Sequence, residues 1–332
     1  MSLRFLAVGD IHYESIALYY PEKHLELVNQ VLSQIWFYAK KNGIKHVFLL
    51  GDIFHTPYPD DSSKKAFLST LDKCLHYHII LGNHDVSTSS SNSMVLLKYF
   101  IEDYGLADNI NFYFEPVNLT INDAKFNLLP FPYKNSTCTE KSICMGHFEV
   151  NGAQMDNGAV VKNATDLDKN NFWILGHLHT RQGTLYPGSV VQTRFGENHN
   201  KYFFDCIYEN DSLNIEAVKI KNSYNLLDVK VKTFEELKAV KFNDRDCYRI
   251  YASDKINMND VLEATKGYNI YKVIGVSANN LNKSIAEEVS YEDFSELTDD
   301  KKYLRLWLSN PKNCSLDEKQ IEKALEIVEK LK

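Results

Sequence analysis

Five times this chain ends a short apolar run with a glycine followed at once by Asp, Asn or His. The blocks are Gly9-Asp10-Ile11-His12, Gly51-Asp52-Ile53-Phe54-His55, Gly82-Asn83-His84-Asp85, Gly146-His147-Phe148-Glu149 and Gly176-His177-Leu178-His179. Each places a polar group just past the end of an expected strand. Open α/β sheets build their sites at the carboxyl ends of strands. A glycine at that point permits a tight turn and close backbone approach.

The segments between the blocks fit that architecture. Leu3 to Val8 and His46 to Leu50 read as strands, and Ile79 to Leu81 as a third. Glu22 to Lys41 carries Leu25, Val28, Leu32, Ile35, Trp36 and Ala39 at helical spacing and stops near Asn42-Gly43. Ser62 to Leu75 and Met94 to Tyr104 read as further helices. Alternation of this kind predicts a layered α/β domain. From Asn109 onward the strands dominate: Ile110 to Phe114, Val117 to Ile121, Phe126 to Leu129, Ser142 to Gly146, Phe172 to Gly176, Tyr202 to Glu209 and Leu213 to Ile220. They predict a second sheet facing the first, with helices outside. The fold class is therefore α/β, two facing mixed β-sheets flanked by helices, over residues 1–222.

Beyond that, a strand at Cys247 to Ala252, a helix at Met258 to Thr265 and a strand at Ile270 to Val276 predict a smaller α/β domain over 223–283. Residues 284–300 hold seven carboxylates and no Lys or Arg, which reads as an acidic linker. Residues 301–332 end in an amphipathic stretch, Ile321, Ala324, Leu325, Val328 and Leu331, opened by a capping box at Ser315 and Glu318. A helix packed on its own domain and a helix that binds a partner both fit this stripe.

Composition narrows the function classes. No window approaches 18 consecutive apolar residues, so no membrane span is expected. The first strand runs straight into Gly9-Asp10 rather than a cleavage site, which argues against a signal peptide. The six cysteines form no C-x-x-C pair and read as free thiols in a reducing compartment. The formal net charge is −7, which alone argues against a broad basic surface for nucleic acid. The acidic linker carries all of that excess: −7 − (−7) leaves 0 for the rest of the chain.

Asp, Asn and His are oxygen and imidazole donors, with no thiolate among them. That mix suits Mn²⁺, Fe²⁺ or Zn²⁺ better than Ca²⁺. Seven such donors exceed what one first-row ion with an open position takes. They suit two ions about 3.5–4 Å apart that share one carboxylate and clamp a phosphoryl group.

The ordered blocks resemble the calcineurin-like metallophosphoesterase superfamily. Within it, the Gly-Asp-x-Phe-His spacing of Asp52 and His55, the Asp85 after Asn83-His84, Tyr186-Pro187-Gly188-Ser189 and Phe195-Gly196-Glu197 resemble the SbcD family of DNA double-strand-break repair nucleases. In size and tail the chain resembles the recombination-endonuclease subunits of T4-like bacteriophages. The resemblance covers about residues 1–220. It departs from the pattern at Tyr13-Glu14, where many members carry Leu-Gly.

The resemblance implies one metal held by Asp10, His12 and His179, a second held by Asn83, His147 and His177, and Asp52 bridging them. The metals implied are Mn²⁺ first, with Mg²⁺, Fe²⁺ or Zn²⁺ as alternatives. His84 would face the scissile phosphate and His55 would assist it or position the substrate. His24, His46, His76, His78 and His199 have no assigned role, and Glu149 is expected to point away or to support a ligand. The activity implied is a 3′-to-5′ exonuclease on duplex DNA ends with endonuclease action on single strands. The implied partners are DNA, an SbcC-type, SMC-like ATPase bound through residues 301–332, and a second copy in a homodimer. The implied compartment is the cytoplasm of a bacterium or a phage-infected host. The 223–283 domain would restrict access to the metals. A small-molecule phosphodiesterase or phosphomonoesterase is the competing enzyme, and a non-catalytic regulatory subunit the competing class.

Overall fold

A computed structural model of the chain describes residues 2–86, 93–99, 101, 108–135, 141–156 and 158–276. They belong to the first of two compact units, Met1–Leu281. The expected linker 284–300 and terminal segment 301–332 lie outside the described residues.

In chain order the first elements are β1 (Leu3–Val8), α1 (His24–Lys41), β2 (His46–Leu49), α2 (Asp61–Thr70), β3 (His76–Ile80), α3 (Ser93–Lys98) and β4 (Ile110–Tyr113). There follow β5 (Val117–Ile121), β6 (Ala124–Leu129), β7 (Ile143–His147), β8 (Phe172–Gly176), β9 (Tyr202–Glu209) and β10 (Ser212–Lys219). The last are β11 (Leu226–Val231), α4 (Phe234–Ala239), β12 (Cys247–Ser253), α5 (Met258–Ala264) and β13 (Asn269–Val276).

The first sheet has the order β10-β9-β1-β2-β3-β4, with β1 to β4 parallel and β9 antiparallel to β1. The second has the order β5-β6-β7-β8, parallel apart from β5. Successive side chains of a strand point to opposite faces, and β1 is buried on both. Leu6 and Val8 meet the buried stripe of α1, where Val28, Val31, Leu32, Ile35, Trp36 and Ala39 lie as the sequence spacing predicts. Phe5 and Ala7 meet Phe48, Phe126, Ile143 and Met145 between the two sheets. Phe5, Phe48 and Phe126 pack with ring centroids 4.8–5.4 Å apart. Burying each such ring contributes on the order of 2 kcal/mol.

Three strands belong to a different sheet from the one expected. β4, β9 and β10 join the first sheet, not the second. Periodicity marks a segment as a strand without naming its neighbour. Here β1 has β2 on one edge only, and β9 covers the other with Phe5 opposite Cys206. Helix α2 also stops at Thr70, five residues before the expected end, and Asp72 caps the turn by accepting from Cys74 N at 2.8 Å. β3 begins at His76 rather than Ile79, because His78 is buried with its ring stacked 4.5 Å from Phe48.

β11, β12 and β13 form a separate parallel sheet, with α4 and α5 as crossovers. β11 and α4 carry no strong pattern in the sequence. The sheet has its own core of Val231, Leu237, Tyr248, Ile250 and Val261. Among the described residues no helix is long and apolar enough to cross a membrane, and no disulfide is present.

Candidate metal centre

The carboxyl ends of β1, β2, β7 and β8, with the turn after β3, bring all seven expected donors together. Asp10, His12 and His179 form one group. Asn83, His147 and His177 form another, with Asn83 Oδ1 2.9 Å from both His147 Nε2 and His177 Nδ1. Asp52 lies between the groups, its Oδ2 3.4 Å from His12 Nε2 and 3.3 Å from His147 Nε2. Its other oxygen, Oδ1, accepts from the backbone N–H of His84 at 2.8 Å.

The backbone is bent to achieve this. His12, Asp52 and His177 have φ of 51°, 49° and 97°, a region that costs an L residue on the order of 1–3 kcal/mol. Hydrogen bonds hold them there. The Asp52 carbonyl accepts from Ile11 N and His12 N, and the Asp10 carboxylate accepts from His177 N. Asp85, which the sequence offered only as a motif position, is fully buried and accepts from the N–H groups of Ile53, Phe54 and Gly82. It ties the Asp52 turn to the Asn83 turn. Burial and the neighbouring Asp52 charge push its carboxyl up to about 7.

Two glycines are required by contact. A Cβ on Gly82 would lie 2.1 Å from Asp52 Oδ1, and one on Gly176 would lie 2.2 Å from the Leu50 carbonyl oxygen. That oxygen accepts from His147 Nδ1 at 2.7 Å. Gly176→Ala is therefore expected to cost about 1–3 kcal/mol by overpacking and to turn His147 away. Thermal unfolding and Mn²⁺ titration calorimetry check both effects. A variant with unchanged melting temperature and metal affinity removes the requirement.

The ring tautomers show what the centre wants. A carbonyl only accepts, so His147 Nδ1 carries a proton. In the neutral ring Nε2 then presents a lone pair to Asn83 Oδ1 at 2.9 Å and Asp52 Oδ2 at 3.3 Å, themselves lone-pair donors. A proton on Nε2 or a metal ion at that point reconciles them. Burial opposes a charge on His147, yet Asp52 and Asp10 outweigh it and raise the imidazole to about 9. Burial would likewise push Asp52 up, but His147 and His12 hold it well below the usual carboxylate range. His179 Nδ1 donates to Glu197 Oε1 at 3.0 Å, and His177 Nε2 donates to Glu149 Oε1 at 3.2 Å. Each thus turns its other nitrogen inward, His177 Nδ1 to Asn83 and His179 Nε2 to within 3.0 Å of His12 Nε2. Carboxylates placed in this way fix the tautomer and raise the basicity of metal-binding histidines. The two groups, with Asp52 between them, could each hold a divalent ion.

Behind His179 the chain builds a second buried network. Glu197 accepts from His179, from Thr193 N and from Lys201 Nζ, the last two at 3.0 Å. Burial alone would raise the Glu197 carboxyl, but Lys201 and His179 hold it well below its ordinary value. Lys201, 1% exposed, spends its other protons on Ser189 Oγ at 2.8 Å and the His179 carbonyl at 3.3 Å. Phe195-Gly196-Glu197 stood out in sequence only as a motif. Nothing in the sequence marked Lys201.

His84 and His55 flank the centre with their rings stacked, centroids 5.3 Å apart and planes 14° apart. His84 Nδ1 donates to the His55 carbonyl at 3.0 Å, and among the described residues Nε2 has no hydrogen-bond partner. His55 Nδ1 is 3.4 Å from His12 Nδ1. The other histidines lie elsewhere: His46 Nδ1 is 3.1 Å from His78 Nε2 at the amino end of β2 and β3. Arg194 pairs with Asp156 at 3.2 Å, and Arg181 stacks on Tyr202 at 4.9 Å.

The strand-end site on two stacked sheets defines a hydrolase of the metallophosphoesterase class. A model of the calcineurin-like phosphoesterase family matches residues 3–181, more than half of the chain, and the chain belongs to that family. Members hydrolyse phosphoesters with divalent metal ions. Among curated proteins, "Putative phosphoesterase 244L" of Invertebrate iridescent virus 6 is 26% identical over 271 residues, 70% of this chain and 88% of that protein. Among solved structures, the glutamine-dependent NAD+ synthetase from Acinetobacter baumannii in complex with ADP aligns over 84% of this chain and 66% of its own. Its TM-score is 0.31 and its identity 8%, a likeness too weak to carry an argument.

Proposed function

We propose that this phosphoesterase is a DNA nuclease of the SbcD type. It would act as a 3′-to-5′ exonuclease on duplex ends and an endonuclease on single strands. The observation that supports this best is the pair of donor groups on either side of Asp52, flanked by the stacked His55 and His84. Asp10, His12 and His179 would hold one ion, Asn83, His147 and His177 the other, with Asp52 shared and Mn²⁺ the ion of choice. Ions held there would supply Lewis-acid chemistry, lowering the pKa of a bound water and offsetting the charge of the phosphodiester.

The chain's own residues do the rest. Glu149, Glu197 and the Leu50 carbonyl fix the imidazoles so that the site need not reorganise during reaction. With Nδ1 committed to the His55 carbonyl, His84 would carry its mobile proton on Nε2 and give it to the leaving oxygen. His55, stacked on His84, keeps that ring in plane. With no large basic face expected from a net charge of −7, DNA affinity would come from this centre, from a homodimer or from an SbcC-type ATPase bound through 301–332. The proposed setting is the cytoplasm of a bacterium or of a phage-infected cell.

The test is a Mn²⁺-dependent assay on end-labelled duplex and single-stranded DNA, with and without an SbcC-like ATPase. The wild-type chain is expected to degrade DNA. His84→Ala is expected to lose about 10²–10⁴-fold in rate, the range for a general acid, while binding Mn²⁺ as before. Full cleavage by His84→Ala removes that role. Fast turnover of a cyclic nucleotide with DNA untouched, ATPase present, replaces the nuclease with a small-molecule phosphodiesterase.

A further inference from the structure

We infer that the three-stranded sheet is the outer support of His179, with Arg249, Phe195 and Tyr271 as positioning residues for the metal-binding arm. The inference rests on the metal reading above. The loop 193–197 supplies the two nearest partners of His179 Nδ1, Glu197 Oε1 at 3.0 Å and Thr193 Oγ1 at 3.2 Å, with Asp156 Oδ2 farther off at 3.7 Å. In the middle of that loop stands Phe195, and the small sheet grips it from two strands.

From β12, the Arg249 guanidinium lies 4.9 Å over the Phe195 ring. Asp228 on β11 holds that guanidinium in both directions, with Nε–Oδ1 at 2.6 Å and Nη2–Oδ2 at 2.9 Å. A fork fixed in this way cannot swing off the ring. From β13, Tyr271 stacks on Phe195 at 5.5 Å and 23°. Tyr19 closes the cluster edge-on, 5.2 Å from Phe195 and 5.0 Å from Tyr271.

A second link reaches Glu197 itself. The buried amide of Gln192 donates to the Glu197 carbonyl at 3.0 Å and to the Leu226 carbonyl at 3.1 Å. It also accepts from Leu226 N at 2.9 Å. Leu226 is the first residue of β11, so one side chain ties the start of the small sheet to the residue that orients His179.

Two independent contacts therefore fix the 193–197 loop from the small sheet. Among the described residues no equivalent contact from the small sheet reaches His147 or His177, whose partners are Leu50, Asp52, Asn83, Glu149 and Asp10. The coupling is one-sided. Docking of the sheet favours the ion at Asp10, His12 and His179, and that ion in turn favours docking, since linkage is reciprocal.

Full-length Arg249→Met and Tyr271→Ala chains test this, with Tyr268→Ala as the control. Tyr268 is in the same small domain and packs on Phe242, 5.2 Å away, outside the clamp. In Mn²⁺ titration calorimetry, both clamp variants are expected to bind one of two ions about 10–100-fold more weakly, the usual cost of lost support behind a ligand. The other ion and the Tyr268→Ala chain are expected to match wild type. Nitrogen-resolved NMR of the metal-free chain gives a second readout: solvent exchange of the His179 Nδ1–H is expected to accelerate in the clamp variants only. Unchanged affinities and unchanged exchange overturn the inference, as does an equal effect of Tyr268→Ala. A wild-type chain that binds no Mn²⁺ overturns the metal reading instead, and the exchange measurement then decides the positioning role alone.

Discussion

An Asp52→Asn chain is expected to fold, and to lose phosphodiester hydrolysis by about 10³-fold or more, equivalent to about 4 kcal/mol of barrier. The two effects separate because Asp52 has two jobs. Its Oδ1 accepts from His84 N, and its carbonyl accepts from Ile11 and His12. Asparagine keeps all three. Its Oδ2, 3.3–3.4 Å from an imidazole nitrogen of each donor group, becomes an amide nitrogen. That atom bears no lone pair for a metal, and its hydrogens point at His12 Nε2 and His147 Nε2. Without the Asp52 charge His147 no longer holds its extra proton, and its Nε2 can then accept from the amide. The melting temperature without metal is expected to fall by a few degrees, because the buried Asp52–His147 charge pair is lost, while Mn²⁺ stoichiometry drops below two. Turnover of a chromogenic phosphodiester, calorimetry and thermal unfolding are the three measurements. Near-normal turnover with two ions bound removes Asp52 from the centre.

The chemistry of this site was more legible than its architecture. A glycine followed by a polar residue at the end of an apolar run is weak alone, but five such blocks in the same strand-end context made Asp10, Asp52, Asn83, His147 and His177 legible together. Their convergence depends on parallel neighbours, and β1 beside β2 beside β3 follows from the helices between them. The return of β9 and β10 to the first sheet could not be read, because an amphipathic strand fits either sheet equally well. The supporting carboxylates were hidden for another reason. Asp85 binds only backbone N–H groups, which leave no mark on a sequence. Glu197 and Lys201 are charged residues that look solvent-facing until the fold buries both. Arg249 and Asp228 are 21 residues apart on strands of which only one was visible beforehand.

The same burial makes Lys201→Met the substitution with the largest expected effect on stability. Glu197 is left with its charge in the core, and Ser189 Oγ and the His179 carbonyl lose a donor. Breaking a buried pair from one side costs about 3–5 kcal/mol. At about 2–4 °C per kcal/mol, that is a fall of roughly 10 °C in melting temperature. The Glu197→Gln/Lys201→Met double variant should recover most of this loss, because removing both charges together is often close to neutral. It should not recover Mn²⁺ affinity. His179 Nδ1 would then donate to a neutral amide rather than a carboxylate, and its Nε2 would be a weaker base towards the ion. The double-mutant cycle thus separates two roles that one ion pair combines. Unfolding reports the charge balance of the core, and titration reports the orientation and basicity of His179. Should the double variant regain affinity along with stability, Glu197 serves only to neutralise Lys201, and the hydrogen bond to His179 contributes nothing to the metal centre.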